Sequence, residues 1–105
     1  MSEAALKAKL EEEFSQVNYA AEEGRKGPFA IFQKYLDRLI ELIQSSDVVN
    51  VPRPQFLDIA GGIYDKYILP IDLPGPIPDT FIDPLLRKIW INQAGKIYDR
   101  LTKAE

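Results

Sequence analysis

YILPIDLPGPIPDTFIDPLL, from Tyr67 to Leu86, contains five of the eight prolines of the chain. Proline fixes φ and lacks a backbone N–H, so it is disfavoured inside helices and in central strands. Large apolar side chains lie between these prolines, whereas disordered linkers are poor in them. We therefore predict a stiff, ordered connector, hinged at Gly75, that lies against an apolar surface. Its apolar residues are Ile68, Leu69, Ile71, Leu73, Ile77, Phe81 and Ile82.

The segment 28–46 has the clearest helical pattern of the chain. Pro28 follows a glycine and suits the first position of a helix. Large apolar residues then recur at a three-four-three-four spacing, which is typical of a helix that packs on other helices. Further apolar residues widen this face on both sides, so we expect the helix at the centre of the domain. The spaced residues are Phe29, Phe32, Leu36, Leu39 and Ile43.

Two more helices are predicted next to the connector. One covers residues 54–69 and ends at Pro70, and its glycine pair 61–62 indicates either a neighbouring backbone that passes close by or a kink. The other covers residues 84–103, with Asp83 as N-cap and Pro84 at the first helical position. Thr80 is a weaker alternative start for it. Residues 47–53 are predicted to be a loop that packs its valines, because prolines disfavour helix in the residues before them.

The first helix is predicted over residues 2–23, with Ser2 as N-cap and a narrow apolar stripe. This end of the chain is acidic, since residues 1–24 carry six glutamates and two lysines. Residues 84–105 carry five cations and two acidic residues, so we expect the first and last helices to lie side by side. The stripe comprises Leu6, Leu10, Phe14 and Val17.

These elements predict an all-α fold in one domain that covers residues 1–105. The four helices are expected to form a bundle-like domain, with the long proline-rich connector between the third and the fourth. The short connection after the first helix favours antiparallel packing of the first two helices.

The composition excludes several classes of function. The chain has no cysteine and no histidine, so it lacks thiolate chemistry, disulfides and the residue most used for proton transfer near neutral pH. We therefore expect no enzyme activity and no cofactor. The formal charge of −3 argues against nucleic acid as a partner. No apolar run reaches the length of about 20 residues that spans a membrane, and the N-terminal residues are too charged for a signal peptide, so we expect a cytoplasmic protein.

Four aspartates recur every seven residues, at Asp58, Asp65, Asp72 and Asp79. Carboxylates bind calcium or magnesium, but the calcium-loop pattern of the EF-hand is absent. We interpret these residues as solvated or helix-capping aspartates and predict no metal site. The glycines at 61–62 likewise lack the flanking residues of a phosphate-binding loop.

The functional hypothesis is a non-catalytic module that self-associates as a homo-oligomer or docks to a protein partner, because surplus apolar residues favour contact surfaces. The alternative is a small-molecule binder with an apolar pocket under the connector, lined by Tyr64, Tyr67, Phe81 and Trp90. A weaker third option is peripheral membrane attachment through the connector. Aromatic residues with polar tips also occur as ordinary core. The candidate contact residues are Tyr64, Tyr67, Ile71, Leu73, Ile77, Phe81 and Trp90.

Overall fold

A computed structural model describes residues 1–23, 27–71 and 79–103, without the side chains of residues 22–23 and 79–82. The described residues contain helices and no β-strand, which confirms the all-α prediction. None of these helices is long and apolar enough to cross a membrane. The central part of the predicted connector, residues 72–78, lies outside the described residues. The helices are α1 (Glu3–Ser15), α2 (Tyr19–Glu23), α3 (Pro28–Gln44), α4 (Arg53–Ile63), a π-helix (Tyr64–Ile68) that continues α4, and α5 (Asp79–Thr102).

The predicted first helix is interrupted in the structure. Ser2 caps α1 as expected, because its hydroxyl accepts a hydrogen bond from the N–H of Ala5. The helix ends at Ser15, and Asn18 starts α2 by accepting the N–H of Ala21 through its side chain at 3.2 Å. The prediction of one helix over residues 2–23 is therefore wrong, because a side-chain cap replaces helical hydrogen bonds at this point.

The helix α3 agrees with its predicted pattern. Pro28 is its first residue, after Gly27 with φ of 97°, a conformation that favours glycine. Seven of its side chains are buried, and the helix packs against both α2 and α5. Phe29, the first residue of the predicted stripe, remains exposed at the start of the helix. The buried side chains are Ile31, Phe32, Tyr35, Leu36, Leu39, Leu42 and Ile43.

The predicted third helix changes type near its middle. α4 ends at Ile63, and the next five residues form a π-helix in which the N–H of Leu69 donates to the carbonyl of Tyr64 at 2.8 Å. A Cβ atom added to Gly61 would lie 2.8 Å from Nη2 of Arg87, whereas one added to Gly62 would meet nothing within 4 Å. The expected close neighbour of the glycine pair is thus a side chain of α5 and not a backbone.

The last helix starts earlier than predicted. α5 begins at Asp79, so Pro84 lies inside the helix. Asp83 is 8% exposed and accepts a hydrogen bond from Tyr64, so it does not act as the N-cap. α5 packs on α3 and α4, and α1 packs on α4.

The ion pairs link the helices in a different way from the one predicted. Glu13 of α1 pairs with Arg38 of α3 at 2.8 Å, and Glu11 pairs with Lys66 at 2.8 Å. Lys9 of α1 donates to Ser46 just after α3, so α1 and α3 run antiparallel, as predicted. Across the described residues, no ion pair joins α1 to α5.

The loop between α3 and α4 packs two of its three valines. Val48 and Val51 are buried, as predicted for a loop that contributes to the core. Val49 between them is 63% exposed. The carbonyl of Val51 accepts a hydrogen bond from the hydroxyl of Tyr98, which attaches this loop to α5.

Candidate interaction surface

Trp90, a candidate contact residue, lies at the centre of the core. Its side chain is 0% exposed, and its Nε1–H donates to the carbonyl of Ala60 at 2.8 Å. Its ring centre lies 6.0 Å from that of Phe14, 6.2 Å from that of Phe32 and 5.8 Å from that of Tyr64. Trp90 thus joins α1, α3, α5 and the π-helix, and in this arrangement it presents no surface to a partner.

Tyr64 is buried next to Trp90 and connects the π-helix to the first turns of α5. It is 0% exposed, and its hydroxyl donates to Oδ1 of Asp83 at 3.0 Å. Burial and the hydrogen bond to Asp83 raise the pKa of the Tyr64 hydroxyl well above its ordinary value. The hydroxyl therefore remains a hydrogen-bond donor through the neutral pH range.

Two further candidate contact residues lie at the edge of the core. For the other three, the structure describes either no part of the residue or only its backbone. Tyr67 is half-buried, with its ring 6.3 Å from that of Phe14, and Ile71 packs against the same core. Leu73 and Ile77 lie outside the described residues. Phe81 belongs to the first turn of α5, but its side chain is not among those described. The structure therefore brings Tyr67 and Trp90 together at Phe14 and places Tyr64 next to Trp90.

A groove of about 680 Å³ runs between α1 and α4. Lys66 and Glu11 pair at 2.8 Å, and their hydrogen bond lowers the pKa of Glu11 and raises that of Lys66. Tyr64, Tyr67 and Trp90 do not line this groove, so it differs from the pocket predicted under the connector. No sequence pattern predicted this groove, because its lining residues come from helices that are far apart in the chain. The lining residues are Glu3, Ala4, Lys7, Glu11, Gln55, Asp58, Ile59, Gly62, Ile63 and Lys66.

The outward side of α5 carries two exposed apolar residues. Leu85 is 55% exposed and Ile89 is 36% exposed, and they lie one turn apart. At 3.6 residues per turn they share an arc of about 120° with the other exposed residues of the helix from residue 85 onward. We call this set the outer stripe of α5. It comprises Leu85, Lys88, Ile89, Asn92, Lys96 and Arg100, together with Lys103 directly after the last residue of the helix.

The chain matches no protein-family profile, no curated protein and no solved structure.

Within residues 1–23, 27–71 and 79–103, no three acidic groups are placed so that they could hold a metal ion. Asp65, one of the periodic aspartates, instead accepts two hydrogen bonds from Arg87, at 2.9 and 3.1 Å. The two surface features that remain for a functional argument are the groove and the outer stripe.

Proposed function

We propose that the protein is a non-catalytic helical interaction module that self-associates or docks to a protein partner through the outer stripe of α5. The observation that carries this proposal is the exposure of Leu85 and Ile89 on an otherwise polar helix surface. Residues that touch a partner at the centre of an interface are commonly apolar and lie within a polar rim.

The inner face of α5 does not need these two side chains. Leu86, Trp90 and Ala94 already fill that face and are buried. Burying the exposed parts of Leu85 and Ile89 would contribute about 1 kcal/mol each, since complete burial of such a side chain is worth roughly 1.5–3 kcal/mol. These two residues would therefore anchor a contact whose remaining area comes from the polar residues around them.

We also propose how the helices are arranged and where in the cell the protein is located. The contacts of α5 with α3 and α4, and of α1 with α4, support a bundle-like arrangement of the four longer helices. An ordered proline-rich connector would complete one end of this bundle. The proposed location is the cytoplasm, as expected for a chain without cysteine.

Sedimentation velocity across a dilution series tests self-association. We expect a concentration-dependent increase in mass for the wild type, and a monomer for the double variant Leu85→Ser/Ile89→Ser. Val49→Ser is the matched control, because Val49 is also apolar and 63% exposed but lies in the loop between α3 and α4. It should associate as the wild type does.

Two outcomes would contradict the proposal. Equal loss of association in the control and in the double variant would show that the outer stripe has no special role. A wild type that stays monomeric at high concentration would remove self-association from the proposal. Circular dichroism serves as the check that each variant keeps its helices.

The second candidate function is small-molecule binding, and the groove between α1 and α4 favours it. Its volume of about 680 Å³ falls within the range of ligand pockets. A thermal-shift screen tests this candidate, because a ligand that binds only the folded state raises the melting temperature. Gly62→Leu would fill the groove from its wall and should abolish any such shift.

A further inference from the structure

We infer that the partner of the outer stripe is an acidic amphipathic helix. This inference rests on the proposed interaction function and specifies the chemistry of the partner. It follows from the distribution of unpaired positive charges, from their order along α5 and from the width of the stripe.

Among the described residues, the cations without a partner are concentrated on the last helix. Within this part of the chain, five lysine and arginine side chains have no ion pair, hydrogen bond or aromatic contact, and four of them belong to the outer stripe. The other cations are engaged, for example Arg38 with Glu13 at 2.8 Å and Arg53 with Asp99 at 3.0 Å. The four unpaired cations of the stripe are Lys88, Lys96, Arg100 and Lys103, and the fifth unpaired cation is Lys7.

The stripe has no free acidic residue to balance these charges. Asp99 lies at its edge, but both of its carboxylate oxygens accept hydrogen bonds from Arg53 of α4. A partner therefore meets positive charge along the C-terminal half of α5. Complementary negative charge would guide its approach and select it against neutral or basic partners.

Apolar and charged residues follow each other along the helix axis. Leu85 and Ile89 occupy the first part of the stripe with Lys88 between them, and Lys96 lies about 10 Å beyond Ile89, since each residue advances the helix by about 1.5 Å. A complementary helix carries apolar residues in one or two turns and glutamates or aspartates in the neighbouring turns. Such a helix places its apolar face on Leu85 and Ile89 and its acidic turns on the cations.

A narrow partner suits this surface better than an anionic membrane does. The whole chain carries a formal charge of −3, so it has no net electrostatic attraction to an extended anionic surface. A single helix about 10 Å across covers only the stripe. At physiological ionic strength, charges more than about 8 Å away are largely screened, so the helix responds mainly to the local cations.

Fluorescence anisotropy with designed peptides tests the inference. The probe is a labelled peptide of about 18 residues, long enough for helix formation, with leucines in its first turns and glutamates in its last turns. A second peptide carries lysine in place of each glutamate. We expect the glutamate peptide to bind at least tenfold more tightly, and its affinity to fall as sodium chloride is raised from about 0.05 to 0.5 M.

Variants of the full chain locate the binding site. Lys96→Gln/Arg100→Gln should weaken binding of the glutamate peptide about three- to tenfold, as expected for exposed ion pairs. Leu85→Ser/Ile89→Ser should weaken it about thirtyfold, since the two side chains together would contribute about 2 kcal/mol. Lys7→Gln is the matched control, because it removes an unpaired cation that lies on α1, and it should bind as the wild type does.

The outcomes separate this inference from the proposed function. Equal affinity for both peptides, or equal weakening by Lys7→Gln, would overturn the acidic-helix inference. If the wild type still self-associates through Leu85 and Ile89, the interaction function survives that failure. Binding to phosphatidylglycerol vesicles without binding to the glutamate peptide would also overturn the inference, in favour of a lipid surface.

Discussion

The adjacent glycines of α4 make a matched pair for a stability test. Gly61 and Gly62 both lie inside the helix, where alanine is favoured over glycine by about 1 kcal/mol. Their surroundings differ. A Cβ on Gly62 would enter open space, whereas a Cβ on Gly61 would come within 2.8 Å of Nη2 of Arg87. The same substitution at the two positions therefore isolates the effect of the neighbouring side chain.

We expect Gly62→Ala to raise the free energy of unfolding by about 1 kcal/mol, which corresponds to an increase of about 4–8 °C in the melting temperature of a domain of this size. Gly61→Ala gains the same helix propensity but displaces Arg87 from its two hydrogen bonds with Asp65. Loss of an exposed ion pair costs about 0–1 kcal/mol, so Gly61→Ala should stabilise the protein by only about 0–1 kcal/mol, less than Gly62→Ala does. Urea unfolding followed by circular dichroism measures both.

A double variant shows whether Arg87 causes the difference. In an Arg87→Ala background, Gly61→Ala should stabilise the protein by about the same 1 kcal/mol as Gly62→Ala does in the wild type, because the obstructing side chain is gone. The reasoning is refuted if Gly62→Ala destabilises the protein. It is also refuted if Gly61→Ala is equally neutral with and without Arg87.

Three further substitutions test buried hydrogen bonds and the ion pair at the groove. Tyr64→Phe removes the hydroxyl that donates to Asp83, and we expect a loss of about 1 kcal/mol in urea unfolding near pH 7. The raised pKa of Tyr64 gives a stabilising contribution that is complete below the ordinary value of 10.0 and declines as pH rises further, so the wild type should lose more stability than this variant above pH 10.0. Trp90→Phe removes the donor to Ala60 and part of the ring volume, and it should cost about 1–3 kcal/mol in the same assay. The lowered pKa of Glu11 gives a contribution that is present above the ordinary value of 4.5 and is lost as pH falls, so the wild type should lose more stability than Glu11→Gln under acid.

For each of these three variants, one result would contradict the expected change in stability. Parallel alkaline unfolding curves for the wild type and Tyr64→Phe would show that this hydroxyl has an ordinary pKa. A fully stable Trp90→Phe variant would show that the hydrogen bond and packing at Trp90 contribute little. Identical acid unfolding of the wild type and Glu11→Gln would show that the pair with Lys66 does not persist in solution.

The sequence predicts the helices where apolar spacing dominates. In α3, Phe32, Leu36, Leu39 and Ile43 repeat at helical spacing, and all four are buried. In this helix the packing of the apolar residues and their helix propensity favour the same conformation, so the pattern is sufficient to predict the helix. The stripe Leu6, Leu10 and Phe14 of α1 is buried in the same way.

The errors occur where one local contact decides between two acceptable conformations. Asn18 is compatible with a helix interior in sequence terms, but its side chain caps Ala21 and restarts the helix. Asp83-Pro84 resembles a helix start, yet Asp83 is held by Tyr64 from another helix. Such contacts depend on the tertiary fold, which a local pattern does not contain.

The candidate surface was only partly predictable for the same reason. Tyrosine and tryptophan are common in interfaces, which made Tyr64 and Trp90 candidates. Whether Trp90 is buried depends on neighbours such as Phe14, which lies far away in sequence. Leu85 and Ile89 lie beside the buried face of the last helix, and the structure leaves both exposed. The groove between α1 and α4 depends entirely on how two distant helices meet.

The π-helix after α4 holds one residue more than the α-helical turn that it replaces. Its wide turn is closed by the hydrogen bond from the N–H of Leu69 to the carbonyl of Tyr64. Because the extra residue is accommodated within this one turn, removing a residue here would leave an ordinary α-helix whose later side chains keep their directions. The same deletion inside α4 would rotate every later side chain by about 100° about the axis. A one-residue deletion between Tyr64 and Ile68 should therefore be tolerated better than one between Arg53 and Ile63.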